Sequence, residues 1–446
     1  MKKAHNRKLS LMVLFGLILI QIGCARQGRG TNEKPDEQGM VVNTEQEVVL
    51  GQTEVTEVTP KVNIFIENSA SMNGFINDAS DFQNAITALV SKLKNVYEKD
   101  NINLGFINAS VVPQHGEDPY QLMKKMLVKN NFKNAGLTGT TDLNNLIEQV
   151  LGNTDENTLT FFVSDCIYSI KEDKSTTITR LEGCQNGTMD VFQGKLKDID
   201  DLSILFIRMV SNFNGGYWDY KHPSGIASQQ LKDCNRPYFI CVVGSDNNIK
   251  EFNSRIRMED LKGYGQQYYL SGKDYSNTFY TVISRPYKKG DFTLPVNTIN
   301  TIELRKADAI QFAIAINLDG LPMAEEEKMD ISNYEIDGDF NIVEIMPIDN
   351  NIRKQFSPNE KNNIESNGCT HLLVVSSNGF PSDFTIKVKP TIPEWVNQLS
   401  STDDTGISND NEEELRKTFG ISYFINGAAA AYERDSYFTM NIKIKH

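Results

Sequence analysis

The chain has little positive charge. It contains 45 lysines and arginines against 58 aspartates and glutamates, a formal net charge of −13. Cleavage before Cys24 would remove four basic residues and no acidic one, so the charge would become −13 − 4 = −17. Those four are Lys2, Lys3, Arg7 and Lys8. Binding to nucleic acid or to anionic lipid head groups requires a positive surface, so we expect no nucleic-acid partner and no charge-based membrane contact.

Motifs of common catalytic sites are also missing. Three of the five histidines are internal, at positions 115, 222 and 371, and none has the context of a catalytic triad or of HExxH. No GxSxG, P-loop or paired-histidine metal motif occurs. We therefore expect the protein not to be an enzyme, and we keep a serine-based hydrolase that uses Ser69 or Ser71 as the less favoured alternative.

Cysteine is sparse, with six residues in the chain and none in a CxxC pair. This spacing excludes the common cysteine motifs for zinc. Five cysteines follow Cys24, so at least one stays unpaired in an oxidising compartment. Pairing of Cys166 with Cys184, or of Cys234 with Cys241, remains open, and buried free thiols are slightly favoured.

The N-terminus carries a targeting signal. A basic segment is followed by a 14-residue, largely apolar stretch, LSLMVLFGLILIQI, at positions 9–22. This stretch is shorter than a membrane-spanning helix and has the length found in signal peptides. It ends in Gly23-Cys24, which resembles the bacterial lipoprotein signal, although Gln21 stands where leucine is usual. We predict a signal peptide over 1–23, lipidation of Cys24, and a lipid-anchored protein of the bacterial cell envelope, on the outer membrane in a diderm.

Short apolar runs alternate with helix-like segments from residue 61 to about 265. The runs predict strands at 62–66, 103–108, 159–165, 203–210 and 238–244. Amphipathic segments beside them predict helices at 81–99, 119–130, 141–152, 188–199 and 247–263. Apolar strands separated by amphipathic helices favour a parallel sheet covered on both faces. We therefore predict a doubly wound, mostly parallel α/β domain over 61–265, preceded by a disordered tether over 24–60.

The pattern becomes rich in β-strands after about residue 280. Alternating apolar runs bounded by turn residues, among them GISYFIN at 420–426, predict one or two sandwich-like antiparallel domains over 280–446. The acidic stretch at 400–414 lacks the glycine pattern of an EF-hand loop. We therefore expect this stretch to be a solvated loop rather than a calcium site.

Polar residues gather at one edge of the predicted sheet. Three segments supply them: Glu67, Ser69 and Ser71 after the first strand, Thr141 at the start of a helix, and Asp165 at the end of a later strand. In a doubly wound sheet the loops at the carboxyl ends of the strands converge on one crevice. Two carboxylates and several hydroxyl groups there form a hard-oxygen site that suits Mg²⁺ or Ca²⁺.

These segments resemble the metal-ion-dependent adhesion site of the von Willebrand factor A family, which includes the integrin I domains. The family pattern is Asp-x-Ser-x-Ser, then Gly-x-Thr, then an aspartate that ends a strand. The matching segments here are Glu67-Asn68-Ser69-Ala70-Ser71, Gly139-Thr140-Thr141 and Val163-Ser164-Asp165. The resemblance implies that the hydroxyls of Ser69, Ser71 and Thr141 and the carboxylates of Glu67 and Asp165 hold Mg²⁺, or Ca²⁺ or Mn²⁺, and that a ligand carboxylate completes the coordination. Glu67, Ala70 and Cys166 depart from the family pattern.

A loop with aromatic residues and glycines, residues 211–225, follows the strand at 203–210. We expect Tyr217, Trp218 and Tyr220 on the same edge as the metal site, because carboxyl-end loops of a parallel sheet share an edge. They form either a ligand-binding surface or a plug between the two halves of the chain. The sequence thus favours a divalent-metal-dependent module that binds a protein or peptide, for adhesion or assembly. The alternative is a metal-independent structural assembly subunit with a degenerate site.

The lipidation prediction is tested by Cys24→Ser. This substitution removes the thiol that would carry the lipid, so we expect the protein to leave the membrane fraction or to keep its unprocessed length. Cell fractionation and immunoblotting measure both properties. Cys184→Ser is the matched control and should change neither. Unchanged membrane retention and size of the Cys24→Ser protein would contradict the prediction.

Overall fold

A computed structural model describes residues 59–77, 79–136, 139, 142–170, 176–222, 225–306 and 309–446. The described residues belong to one compact unit. Several predictions lie outside them: the signal peptide, Cys24, the tether up to residue 58, and the Thr140-Thr141 pair.

The first half of the chain forms a seven-stranded sheet with the order β3-β2-β1-β4-β6-β5-β7. The strands are β1 (Lys61–Glu67), β2 (Ile102–Ile107), β3 (Val111–Gln114), β4 (Thr158–Ser164), β5 (Leu202–Tyr217), β6 (Gln229–Ser245) and β7 (Tyr264–Leu270). The central strands β2, β1 and β4 pair in parallel, and the remaining pairs are antiparallel. Because β5 lies two antiparallel steps from β4, it runs in the same direction as β1.

The prediction of a parallel strand at 238–244 is wrong, because β6 runs against its neighbours β4 and β5. A parallel crossover needs a connection of a dozen or more residues, which is usually a helix. Here β5 and β6 instead extend to 16 and 17 residues and form one long antiparallel ribbon. The loop predicted at 211–225 is therefore wrong at 211–217, which belong to β5: Tyr217 ends that strand, and Trp218 and Tyr220 follow it in the connection to β6.

Helices cover both faces of the sheet. In the first half of the chain they are α1 (Asp81–Val96), α2 (Pro119–Met126), α3 (Lys129–Asn134), α4 (Leu143–Gly152), α5 (Thr177–Leu196) and α6 (Asp246–Arg255). Apolar residues of α1, α2, α3 and α6 pack on one face, and those of α4 and α5 pack on the other. The predicted α/β class with a layer of helices on each side is therefore confirmed.

Two further sheets form a sandwich in the second half of the chain. Their orders are β12-β15-β18-β10-β9 and β13-β14-β11-β8, and apolar residues from both sheets share one core. The strands are β8 (Tyr280–Ile283), β9 (Phe292–Thr293), β10 (Thr301–Leu304), β11 (Ile310–Ile316), β12 (Tyr334–Asp337), β13 (Asn341–Pro347), β14 (His371–Ser377), β15 (Phe384–Val388), β16 (Ser400–Ser401), β17 (Thr418–Phe419) and β18 (Phe438–Lys445). The pair β16-β17 stands apart from the sandwich as a two-stranded sheet. The sandwich pairs are antiparallel except for β10 with β18.

The segment 392–432 leaves the sandwich and packs on the first sheet. The helices of the second half are α7 (Glu325–Met329), α8 (Asn350–Arg353), α9 (Pro358–Ser366), α10 (Glu394–Gln398), α11 (Glu412–Arg416) and α12 (Ile421–Ala430). Apolar residues of α10 and α12 belong to the same core as α4 and α5. The strand predicted at 420–426 is therefore wrong: these residues begin α12. Its apolar residues face the sheet at helical spacing.

The cysteines from 166 onward carry free thiols. Neither pairing considered above is formed. Instead the Cys166 thiol lies beside that of Cys241, and burial raises the pKa of Cys166. The preference for buried thiols is therefore confirmed at Cys166, Cys234, Cys241 and Cys369.

The packing of α12 on α5 is tested at Gly427. A Cβ at this position would lie 2.5 Å from the carbonyl oxygen of Gln185 in α5, so we expect Gly427→Ala to lower the free energy of unfolding by about 1–3 kcal/mol. The matched control is Gly194→Ala in α5, where a Cβ would meet nothing within 4 Å. That change should leave stability equal or raise it by about 0.4–1 kcal/mol. Urea unfolding measures both, and equal effects would contradict the close packing of the two helices.

Candidate functional site

The carboxyl ends of β1 and β4 bring two acidic residues to one level of the sheet. Ile66 pairs with Val163 in the parallel register, so the next residues, Glu67 and Ser164, are adjacent. The Ser164 hydroxyl donates a 2.5 Å hydrogen bond to Oε2 of Glu67. Asp165 follows at once, and the side chains of Glu67 and Asp165 are both buried.

The two predicted serine ligands lie in the turn that follows β1. The chain enters a short 3₁₀ helix at Ser71–Phe75, which folds Ser71 back towards Ser69. Their hydroxyl oxygens are 3.0 Å apart, and the Ser71 side chain is hydrogen-bonded to Asp165. Four of the five predicted metal ligands therefore come together. Thr141 lies outside the described residues, but Gly139 of its loop lines the same cavity.

Asn68 fixes the backbone between Glu67 and Ser69. Its side-chain amide donates 2.8 Å hydrogen bonds to the carbonyl oxygens of Phe132 and Ala135. Its Oδ1 accepts a 2.7 Å hydrogen bond from Nδ2 of Asn108 on the neighbouring strand end. This network, in which the Asn68 and Asn108 side chains are buried, ties the end of β1 to the segment that leads into the Gly139 loop. The sequence pattern gave no sign of it.

The electrostatics of the site favour a cation. Burial, followed by repulsion from Glu67, raises the pKa of Asp165 to about 7. Hydrogen bonds from Ser71 and from the backbone N–H of Ile167 oppose this rise without cancelling it. Two like charges that are buried together disfavour the doubly ionised state, and a bound cation would relieve this repulsion.

The residues present fit a divalent ion that prefers hard oxygen donors. In the described residues no cluster of three or more histidine, cysteine, aspartate or glutamate side chains is found, so an ion at this cavity would need hydroxyl or water oxygens beside the two carboxylates. The donor set here consists of two carboxylates and two serine hydroxyls. Mg²⁺ keeps several waters in such sites, which a small set of protein donors permits.

The aromatic loop opens onto the same cavity, because β5 and β1 run in the same direction. The cavity has a volume of about 300 Å³ and is lined by Glu67, Ser69, Ala70, Ser71, Gly139, Asp165, Ile167, Tyr168, Ser169, Tyr217, Trp218, Asp219, Tyr220, Gly225 and Asp404. Tyr217, Trp218 and Tyr220 thus lie on the predicted edge. The position of this loop relative to the acidic residues agrees with the sequence prediction.

The three aromatic residues differ in their surroundings. Tyr217 is buried, and its hydroxyl donates a 2.6 Å hydrogen bond to Oδ2 of Asp404. Tyr220 stacks in parallel on Phe419, with 5.6 Å between the ring centroids. Trp218 is half-buried and donates from Nε1 to the carbonyl oxygen of Gly225. Tyr217 and Tyr220 therefore join the two halves of the chain, as the plug alternative expected, while Trp218 stands at the cavity wall.

Asp404 is one of the cavity residues that the sequence did not predict. It lies in the acidic stretch 400–414, which was predicted to be solvated, and that prediction is wrong at this position because the Asp404 side chain is buried. Burial raises the pKa of Asp404 to about 6. Nothing in the local sequence separates Asp404 from its exposed neighbour Asp403, since its partners come from the aromatic loop.

The raised pKa values of Asp165 and Asp404 predict how the stability of the metal-free protein depends on pH. Both folded-state values lie above the value of about 4 for unfolded aspartate, so the folded state binds protons more tightly. These two groups therefore contribute stability that is fully present below about pH 4 and is lost as pH rises to about 7. With chelator present, we expect a higher melting temperature at about pH 5 than at about pH 8.

Asp165→Asn should flatten this dependence, because it removes the group with the larger shift. Asp410→Asn, an exposed change in the acidic stretch, is the control and should leave the slope as it is. A wild-type melting temperature that rises steadily towards pH 8 in chelator would contradict the assignment of buried, mutually repelling carboxyl groups.

Comparisons with known proteins add no assignment to this geometry. No protein-family model, no curated protein and no solved structure matches the chain. In the part of the chain that the structure describes, no helix has the length and apolar character needed to cross a membrane. The function of the cavity must therefore be inferred from its own residues.

Proposed function

We propose that the protein is a cell-envelope lipoprotein that binds a protein or peptide ligand through a divalent ion held at the edge of its α/β sheet. Cys24 would carry the lipid, and the envelope location, on the outer membrane in a diderm, follows from that anchor. The domain that holds the ion would be a divergent relative of the von Willebrand factor A family. No enzymatic activity is proposed.

One observation carries this proposal: the convergence of Glu67, Ser69, Ser71 and Asp165 on a single cavity. These are the positions of the adhesion-site motif, and all four side chains line the same cavity. Mg²⁺ is the favoured ion, with Ca²⁺ or Mn²⁺ as substitutes, since all of them accept carboxylate and hydroxyl oxygens.

Glu67 stands where the family has aspartate, and its side chain is longer by one methylene group. The longer side chain reaches Ser164 on β4 and accepts its hydrogen bond. The carboxylate is thereby held by the strand that also supplies Asp165. We infer that Glu67 serves as an anchored acidic ligand, bound directly or through water.

The rim of the cavity supports a macromolecular ligand. Trp218 lines the wall, and Ile226, which follows the Gly225 carbonyl group that accepts the Trp218 hydrogen bond, is 92% exposed. An exposed apolar side chain and a half-buried tryptophan in one connection suit a contact surface, since tryptophan is enriched among the residues that dominate protein association. A ligand carboxylate on the ion and an apolar contact at this rim would together fix a peptide segment.

The second candidate is a metal-independent assembly subunit. The contacts of Tyr217 with Asp404 and of Tyr220 with Phe419 favour this candidate, because these two aromatic side chains then pack within the molecule rather than against a ligand. A serine-based hydrolase has less support. The described residues that line the cavity include no histidine, and His222, which is 60% exposed, is bonded to Asp219 instead.

Metal binding is tested by calorimetry with Mg²⁺, Mn²⁺ and Ca²⁺. We expect one site per chain, and we expect Asp165→Ala and Ser71→Ala to weaken it by about tenfold or more, because each removes an oxygen donor or its charge. Ser169→Ala is the matched control: Ser169 lines the cavity but is not a predicted ligand. Wild-type protein that shows neither heat nor a thermal shift at millimolar ion would favour the metal-independent subunit.

The ligand is sought with the same variants. Affinity capture from envelope extracts, with and without chelator, should retain a partner only when the ion is present. A partner that is retained equally in chelator and by the Asp165→Ala protein would contradict metal-dependent binding.

A further inference from the structure

Asp404 enters the ion-binding cavity from the far end of the chain. Its side chain is only 4% exposed. Oδ2 accepts the hydroxyl of Tyr217 at 2.6 Å, and Oδ1 accepts the backbone N–H of Tyr220 at 3.0 Å. One carboxylate therefore holds two aromatic residues of the cavity wall, one by its side chain and the other by its backbone.

The segment that carries Asp404 is fixed to the sheet by two buried arginines. Arg236 of β6 donates from Nη1 to the carbonyl oxygens of Leu415 and Lys417, at 2.9 and 3.2 Å. Arg208 of β5 donates from Nη2 to the carbonyl oxygen of Arg416 at 3.0 Å. These carbonyl groups lie at the C-terminal end of α11, where helix carbonyls lack partners in the helix and cations bind favourably. The part of this segment that follows Asp404 is thus bound to β5 and β6 by buried arginine–carbonyl hydrogen bonds.

The aromatic wall depends on the same segment. The Arg236 guanidinium lies 4.9 Å from the centre of the Tyr217 ring, so Tyr217 is held by Arg236 at its face and by Asp404 at its hydroxyl. Tyr220 stacks on Phe419, which follows the arginine-bound carbonyls. Tyr217 and Tyr220 of the wall therefore belong to the first half of the chain, and contacts with Asp404 and Phe419 of the second half hold them in place.

We propose that Asp404 is a positioning residue of the ion site: it fixes Tyr217 and Tyr220 as the wall of the cavity, and this wall limits the access of water and of ligand to the ion. The inference rests on the proposed function, since it requires an ion at Glu67, Ser69, Ser71 and Asp165. Asp404 itself does not touch the ion. Its loss should leave ion affinity nearly intact and change the surroundings of the ion.

Terbium is a suitable probe, because Tb³⁺ accepts the hard oxygen donors of calcium sites and its luminescence reports two properties. The lifetimes in H₂O and D₂O count the waters on the ion, and the emission excited through tryptophan depends on the distance to the indole. A Trp395→Phe background leaves Trp218 as the sole tryptophan of the chain. The protein is tested as the full chain, with its melting temperature measured alongside.

We expect Asp404→Asn to add about one water to the bound Tb³⁺ and to reduce the Trp218-sensitised emission severalfold, with Tb³⁺ affinity within about twofold of the parent protein. Tyr217→Phe keeps the ring and removes only the hydroxyl, and it should add water in the same way. The matched control is Asp410→Asn, an exposed change of the same charge in the same stretch, which should change neither property.

The outcomes separate this inference from the proposed function. If Tb³⁺ binds and both Asp404→Asn and Tyr217→Phe show the water count and emission of the parent protein, Asp404 does not position the wall and the inference is overturned, while the ion site stands. If Tb³⁺ affinity falls as far as in Asp165→Ala, Asp404 is a ligand and the inference is again overturned. If the parent protein binds no Tb³⁺, the proposed function fails and the inference fails with it.

Discussion

The parallel pairing of β1 with β4 is the constraint on which the site depends. It places Glu67 and Asp165 at the ends of neighbouring strands, where both carboxyl groups are buried. Ser164 donates a hydrogen bond to Glu67, and Ser71 donates one to Asp165. Burial and repulsion between the two carboxylates nevertheless raise the pKa of Asp165 to about 7. Burying two like charges side by side costs stability. The site is therefore strained electrostatically in a way that a divalent ion would relieve.

The cavity belongs to both halves of the chain, although its acidic residues come from the first. Residues 392–432 return from the sandwich to the α/β sheet, place α12 against α5, and bring Asp404 to the aromatic loop. A division into an ion-binding domain and a separate spacer therefore does not describe this molecule. Residues 392–432 run from the sandwich to the cavity, and one of them, Asp404, lines its wall.

The sequence predicts those strands whose own residues form a clear apolar run. The apolar runs of β1, β2 and β4 and the acidic and serine residues beyond them were predicted within a residue or two. β7 was missed because its sequence, YGQQYYL, has no clear apolar alternation. The α12 residues have an apolar run that fits a strand equally well, and only packing on α5 distinguishes the two. Asp404 was beyond prediction, since its partner Tyr217 lies 187 residues away.

The return of α12 has a consequence for biosynthesis. All seven strands of the first sheet have been synthesised by residue 270, yet part of the apolar face around Phe206 is covered by Phe424. A chain in which only the first sheet has formed therefore displays uncovered apolar surface until α12, about 150 residues further along the chain, packs against it. Contacts of such long range slow folding, and chains that end before α12 are expected to aggregate because this apolar face stays exposed.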